Sequence, residues 1–325
     1  MMRIWLAVLA LAMGMAVCGR TLGAEDAARK IPVILTTDIG DDIDDTWALG
    51  FMLRCPELDV KLVVGDYGNV DYRVKLLAKF LQQVGRTDIP VGKGVGPSTK
   101  DKRNQSAWVD DYDPKTYPGK IHDDGIAAMI DVIMNSPDKV TVIAIGPMPN
   151  VAALLQREPK VVQKARFVGM HGSVRVGYGG GKQPSAEWNV KADVKSCQTV
   201  FVAPWDMTIT PLDTCGLVHL TGDKYRKVLE SNDPIARTII ENYRIWTAAI
   251  KNDALGQRRS TTLYDCVAIY LAFSQDLTTI EQLGIRVTDD GMTVIDPQAK
   301  TINVATRWKD MGAFEDLLVK RITGQ

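Results

Sequence analysis

Soft-metal and redox chemistry has little to work with in this chain. Among 325 residues there are three histidines and five cysteines. No Cys-x-x-Cys or Cys/His pair stands at zinc-ligand spacing, which argues against zinc fingers and dithiol redox centres. Charge of one sign is also missing. The 39 Lys and Arg balance 39 Asp and Glu, so the formal net charge is zero. A balanced chain has no electrostatic case for nucleic acid or an anionic membrane. Past the first two dozen residues, no apolar run is long enough to span a bilayer. Internal repeats and low-complexity linkers are absent as well. The 46% hydrophobic content and the length suit one large α/β domain or two ordinary ones.

What is abundant is aspartate, in one place. The apolar run Ile31-Pro32-Val33-Ile34-Leu35 leads through Thr36-Thr37 into Asp38, Asp41, Asp42, Asp44 and Asp45, five carboxylates in eight residues. A helical pattern follows from Thr46-Trp47-Ala48-Leu49. The order is buried strand, glycine-containing loop, helix start. One or two aspartates at a helix start are explained by capping and by the helix dipole. Five repel one another unless protons or a cation hold them. An all-oxygen donor set selects a hard cation, Ca²⁺ or Mg²⁺.

Residues 1–24 read as a secretory signal. Arg3 supplies the basic start, Ile4 to Val17 the apolar core, and Leu22-Gly23-Ala24 a small-residue cleavage point. Cys18 offers a second reading, lipoprotein anchoring, which bulky Val17 disfavours. Residues 30–325 form the expected mature domain, placed in the periplasm or the medium. Four cysteines remain there, Cys55, Cys197, Cys215 and Cys266. Export permits disulfides and four cysteines allow three pairings, but buried free thiols are the expectation for most of them.

Strand and helix patterns alternate through the domain. Val60–Val64, Thr141–Ile145, Arg166–Met170 and Thr199–Val202 are strand-like. Helices are expected over Val70–Val84, from Asn150, over Pro234–Lys251 and over Thr262–Phe273, with tail strands over Arg286–Val304 turning at Asp289-Asp290-Gly291. This order predicts an open, mainly parallel sheet with helices on both faces, and ligands beyond the carboxyl ends of the strands. Asp38, Asn69, Ile145, Met170 and Asp206 are all expected at that end. Two loop-rich stretches, Gly92–Gly119 and Val174–Pro184, are candidate flaps.

Gly68-Asn69-Val70, Gly146-Pro147 with Asn150, Ala186-Glu187-Trp188-Asn189 and Asp265 follow the aspartate loop in order. Together these segments resemble the inosine–uridine nucleoside hydrolase family, from Val33 to about Tyr270, with the aspartate loop in a form two residues longer. The resemblance implies calcium-dependent hydrolysis of the N-glycosidic bond of ribonucleosides or related ribosides, giving free base and ribose. In that reading a metal-carried water attacks and Asp38 is the general base. Asp38, Asp45, Asp265 and the Ile145 carbonyl would hold the calcium, with Asp42 a possible extra ligand. Asp44 would bind the ribose hydroxyls and orient the site. Asn69 and Asn189 would hold sugar hydroxyls or face the developing positive charge. Glu187 would hold a sugar hydroxyl, Met170 would pack by the sugar or base, Tyr264 would face the leaving group, and Asp206 would support the site from behind. The resemblance also implies a small-molecule substrate and a homo-oligomer, dimer or tetramer.

Three departures from the family pattern bear on substrate. Thr36 stands where an Asp is usual, Tyr264 where a proton-donating His is usual, and Gly181 where an Asn is usual. His171, beside Met170, is a candidate substitute donor, with a structural hydrogen bond as its other reading. His122 and His219 have weaker claims. The competing functions are a non-catalytic exported riboside- or glycoside-binding protein, a hydrolase of another exported glycoside, and a haloacid-dehalogenase-type phosphohydrolase. The last expects Asp-x-Asp, which Asp38-Ile39-Gly40 lacks.

Overall fold

The computed structural model describes residues 29–96 and 102–325. The signal segment 1–24 and Cys18 lie outside the described residues. Among the described residues ten strands form one sheet: β1 (Ile31–Thr37), β2 (Leu58–Gly65), β3 (Val91–Lys93), β4 (Ile121–His122), β5 (Val140–Ala144), β6 (Ala165–Met170), β7 (Met207–Thr210), β8 (Thr278–Val287), β9 (Thr293–Ile295) and β10 (Thr301–Trp308). Their spatial order is β4-β3-β2-β1-β5-β6-β7-β10-β8-β9. Every pairing from β4 to β10 is parallel, and β8 and β9 add antiparallel pairings at one edge.

Helices cover both faces because the central strands carry apolar residues on both. In β1, Val33 and Leu35 enter one core cluster and Ile34 the other, the period-two alternation of a strand buried on both sides. Helix α1 (Asp44–Leu53) follows β1 directly and is buried from Asp44 to Met52, between the sheet and the helices Pro234–Ala249 and Tyr264–Leu271. Helix α2 (Val70–Gln83) follows β2 and is capped by Asn69, whose side chain accepts from Tyr72 N at 3.1 Å. Among the described residues, no helix is long and apolar enough to cross a membrane.

Chain order reverses across β1. The chain steps outward through β2, β3 and β4, then returns to place β5 on the other side of β1. Adjacent loops turn away from each other at such a reversal, and a crevice opens beyond the strand ends. Asp38, one residue past β1, and Ile145, one past β5, meet there.

Two expectations are corrected. Thr199–Val202 is the last turn of the helix Val194–Val202, not a strand; the strand is Met207–Thr210. Its β-branched residues suit either state, and packing of Cys197, Val200 and Phe201 in the core decides for the helix. Asp206 consequently precedes β7 at the opposite end of the sheet, exposed and paired with Lys139 at 2.8 Å, and does not support the crevice. The four described cysteines are buried and free, as expected of most of them.

Candidate active site

At the reversal lies a cavity of about 440 Å³. Its floor is acidic, formed by Asp38, Asp44, Asp45 and Asp265, each no more than 7% exposed. Three of these, Asp44, Asp45 and Asp265, bring carboxylate oxygens within 4.8 Å of one another. Asp44 and Asp45 occupy the first turn of α1, and Asp265 the first turn of Tyr264–Leu271. The two helix starts converge because α1 packs along that helix. The Thr37 hydroxyl donates to Asp45. Asp38 closes the group from the strand side, its carboxylate packed against Gly146, where a Cβ would lie 2.6 Å from Asp38 Oδ1.

Burial is the main cause of raised pKa throughout this floor. It pushes Asp38 up to about 7, opposed by Arg73 and reinforced by Asp41. Burial pushes Asp44, Asp45 and Asp265 well above the usual carboxylate range, and mutual repulsion adds to it. Carboxylates this close cannot all ionise without a counter-charge. All-oxygen donors, buried and clustered, fit a hard divalent cation. The Ile145 carbonyl borders the same space and accepts from Asn189 Nδ2 at 3.3 Å.

Other expected residues fall into two groups. Asn189 and Met170 line the cavity, and Asn189 Nδ2 also donates to the Met170 carbonyl at 3.0 Å. Glu187 lines it too, but its carboxylate is engaged: it accepts from Asn189 N at 2.7 Å, Gly172 N at 3.0 Å and Val190 N at 3.3 Å. Burial raises Glu187 to about 7 despite these bonds. Asp42 lines the mouth, exposed. Tyr264 lines the wall, its ring edge-on to Tyr178 at 6.3 Å. Asn69 is the cap of α2 and is not among the lining residues.

His171 is fully buried and donates through Nε2 to the Gly146 carbonyl at 2.9 Å. Burial pulls its pKa down to about 3, so it is neutral and structural. His122 lies in the edge strand β4, and neither it nor His219 lines the cavity.

Sequence reasoning missed several residues. Asp66, immediately after β2, is fully buried and accepts from Thr36 Oγ1 at 2.6 Å, while Thr36 accepts from Asn150 Nδ2 at 2.8 Å. A buried carboxylate therefore does stand beside position 36, supplied by the neighbouring strand. Asp213 accepts from Val174 N at 2.9 Å and Arg175 N at 2.8 Å, and so anchors the glycine-rich loop. Lys102, Asn104, Trp246 and Ile250 complete the lining near the mouth. A strand end followed by Asp was a readable signal for Asp66; nothing local marked the others.

The model of the inosine-uridine preferring nucleoside hydrolase family matches residues 33–316. The pyrimidine-specific ribonucleoside hydrolase RihA of Citrobacter koseri is 27% identical over 310 residues, covering 90% of this chain and 98% of that protein. Its counterpart from Salmonella arizonae is 28% identical over 312 residues, again covering 90% and 98%. Among solved structures, the plant nucleoside hydrolase PpNRh1 superposes with a TM-score of 0.76 at 22% identity, covering 91% of this chain and all of that one. A purine-preferring ribonucleoside hydrolase from Gardnerella vaginalis gives 0.74 at 22% identity, covering 90% and 98%. The structural likenesses establish the fold.

Proposed function

Since the chain belongs to the inosine-uridine preferring nucleoside hydrolase family, and is thereby an N-glycosidase of ribonucleosides, we propose that its hydrolysis depends on calcium and uses Asp38 as general base. The supporting observation is the single buried floor shared by Asp38, Asp44, Asp45 and Asp265. Asp38, Asp45, Asp265 and the Ile145 carbonyl would hold the ion, and Asp42 at the mouth is a further candidate. Once bound, the cation would fix and polarise a water and grip vicinal hydroxyls, leaving the proton for a base to take.

The chain's own groups supply the remainder. Asp38, at the strand end beside the ion's place, would reach the held water and take its proton. Asp44, on the same floor, would hold the ribose hydroxyls and set negative charge beneath the sugar. That charge favours the oxocarbenium-like transition state of glycosyl transfer. Asn189 and Met170 wall the sugar side, and Glu187 fixes Asn189 by capping its helix. Asn69, at the cap of α2, would reach a sugar hydroxyl only from the loop after β2.

The leaving group meets Tyr264, whose phenol burial pushes up to about 12. Such a phenol stays protonated at neutral pH and gives a hydrogen bond, not a proton. Replacing Tyr264→Phe is therefore expected to lower kcat/KM by less than about tenfold and to leave the shape of its pH profile unchanged. A missing alkaline limb in the variant profile would reassign Tyr264 as the general acid.

The relatives' names point to both pyrimidine and purine substrates. A panel of both, assayed for released base with and without chelation, tests the proposal. Base release abolished by chelator and restored by calcium is expected; full activity in chelator would refute metal dependence, and binding without release would select the non-catalytic alternative. Export through residues 1–24 and homo-oligomeric association complete the proposal. Sequencing of the mature N-terminus and light scattering test these two points.

A further inference from the structure

The two-residue extension of the aspartate loop places an extra carboxylate, Asp41, over a fully buried arginine. Arg73, in the first turns of α2, is 0% exposed. Its Nη1 donates to the Ile39 carbonyl at 2.9 Å and to Asp41 Oδ1 at 3.1 Å, and its Nε to the Tyr67 carbonyl at 3.4 Å. One guanidinium thus ties the acidic loop to the turn after β2. A buried cation without an anion is strongly unfavourable, and Asp41 supplies that anion.

Neighbouring contacts converge on Gly40, Asp41 and Asp42. The Tyr72 hydroxyl donates to the Gly40 carbonyl at 3.1 Å. Gly40 has φ of 122°, and a Cβ there would lie 2.5 Å from the Tyr72 ring. The Asp41 carbonyl accepts from Asn104 Nδ2 at 2.7 Å and Trp246 Nε1 at 3.0 Å, and the Asp42 carbonyl from Gln105 Nε2 at 3.2 Å. On the strand side, a Cβ at Gly65 would sit 2.6 Å from the Arg73 Cβ, so that glycine admits the arginine.

We propose that Arg73 is a positioning residue: paired with Asp41, it holds the loop from Asp38 to Asp45 in its site-forming shape before any metal arrives. The extension is then a strut and not an additional ligand arm. Lysine cannot replace it, because one ammonium lacks the guanidinium's fork and cannot span Ile39, Asp41 and Tyr67 together.

The inference rests on the calcium reading only for its second measurement. The first is amide hydrogen exchange over Ile39–Trp47 in chelator-treated protein. Protection is expected in the wild type and loss of it in Asp41→Asn and Arg73→Met. The second is calcium titration calorimetry. Removing a positive charge near a cation site strengthens binding if charge alone matters; loss of the strut instead weakens it, by ~10–100-fold as for other outer supports of metal ligands. Wild-type protection retained in a folded Arg73→Met, or calcium bound by it as tightly as by the wild type, overturns the proposal. If Arg73→Met does not fold, unchanged exchange in Asp41→Asn overturns it equally. A wild type that is protected yet binds no calcium sinks the metal reading and leaves the strut standing.

Discussion

Asp38→Asn is expected to lower kcat by about 10²–10⁴-fold, the usual contribution of a general base, while the protein still unfolds in one cooperative transition. Asparagine keeps the shape and an oxygen that can face the cavity, but it cannot accept a proton at working pH. Calcium should still bind, more weakly, because Asp45, Asp265 and Asp44 remain clustered. The variant should also be no less stable than the wild type in chelator at pH 7.5. Asp38 is buried among like charges and its carboxyl is raised to about 7, so its ionised form opposes folding. Active-site groups held against their preferred state commonly trade stability for activity. Turnover within a few-fold of wild type, with calcium bound, would remove Asp38 from the role of base and leave Asp44 as the next carboxylate to test.

The second large effect couples pH, calcium and melting temperature. A carboxyl whose folded pKa lies above its unfolded value stabilises the fold while protonated. That contribution is fully present below about 3.8 and is lost as pH rises through the folded value. For Asp38 the window runs from about 3.8 to about 7 and corresponds to roughly 4 kcal/mol. Asp44, Asp45 and Asp265 shift in the same direction. Surface carboxylates work the other way: Asp124 and Glu281, held by Arg157 and Arg175, are lowered to about 2 and lose stability only in acid. The chelated protein should therefore lose on the order of 10 °C in Tm between pH 4.5 and 7.5. Calcium at ~100 times its dissociation constant adds ~2.7 kcal/mol, a rise of about 5–10 °C at pH 7.5 but little at pH 4.5, where protons already occupy the floor. Equal calcium shifts at both pH values would show that the ion binds elsewhere.

The departures at Thr36, Tyr264 and Gly181 have different structural meanings. Thr36 is backed by Asp66 from the next strand and by Asn150, so the lost carboxylate is replaced in space and not in sequence. Tyr264 keeps a hydrogen-bonding hydroxyl on the cavity wall, which burial holds protonated at neutral pH. Gly181 lies in a short turn, its carbonyl accepting from Gly177 N at 2.9 Å, in a loop tethered by Asp213. Asp66, Asn150 and Asp213 lie thirty or more residues from the groups they bind, beyond the reach of any local pattern.

Local periodicity carried much of the fold. The buried strands 31–37 and 140–144, the helix from Val70 and the turn at Asp289-Asp290-Gly291 stand where alternation and turn chemistry put them. The short strands β3 and β4 were invisible, being two or three residues long with no period to detect. Thr199–Val202 failed because β-branched residues tolerate both states until a core chooses between them.

By itself, the chain's order of residues determined that strands and helices alternate, that a parallel sheet results, and that an acidic loop sits at a strand's carboxyl end. Only the tertiary structure decided which carboxylates meet. Proximity of Asp45 and Asp265, 220 positions apart along the chain, follows from α1 packing on a distant helix. It likewise decided that Asp206 faces the wrong end of the sheet, that His171 is sealed inside, and that Arg73 reaches under the loop. Local patterns record which face of an element is apolar; they hold no information on which faces are pressed together, and catalytic geometry depends on that.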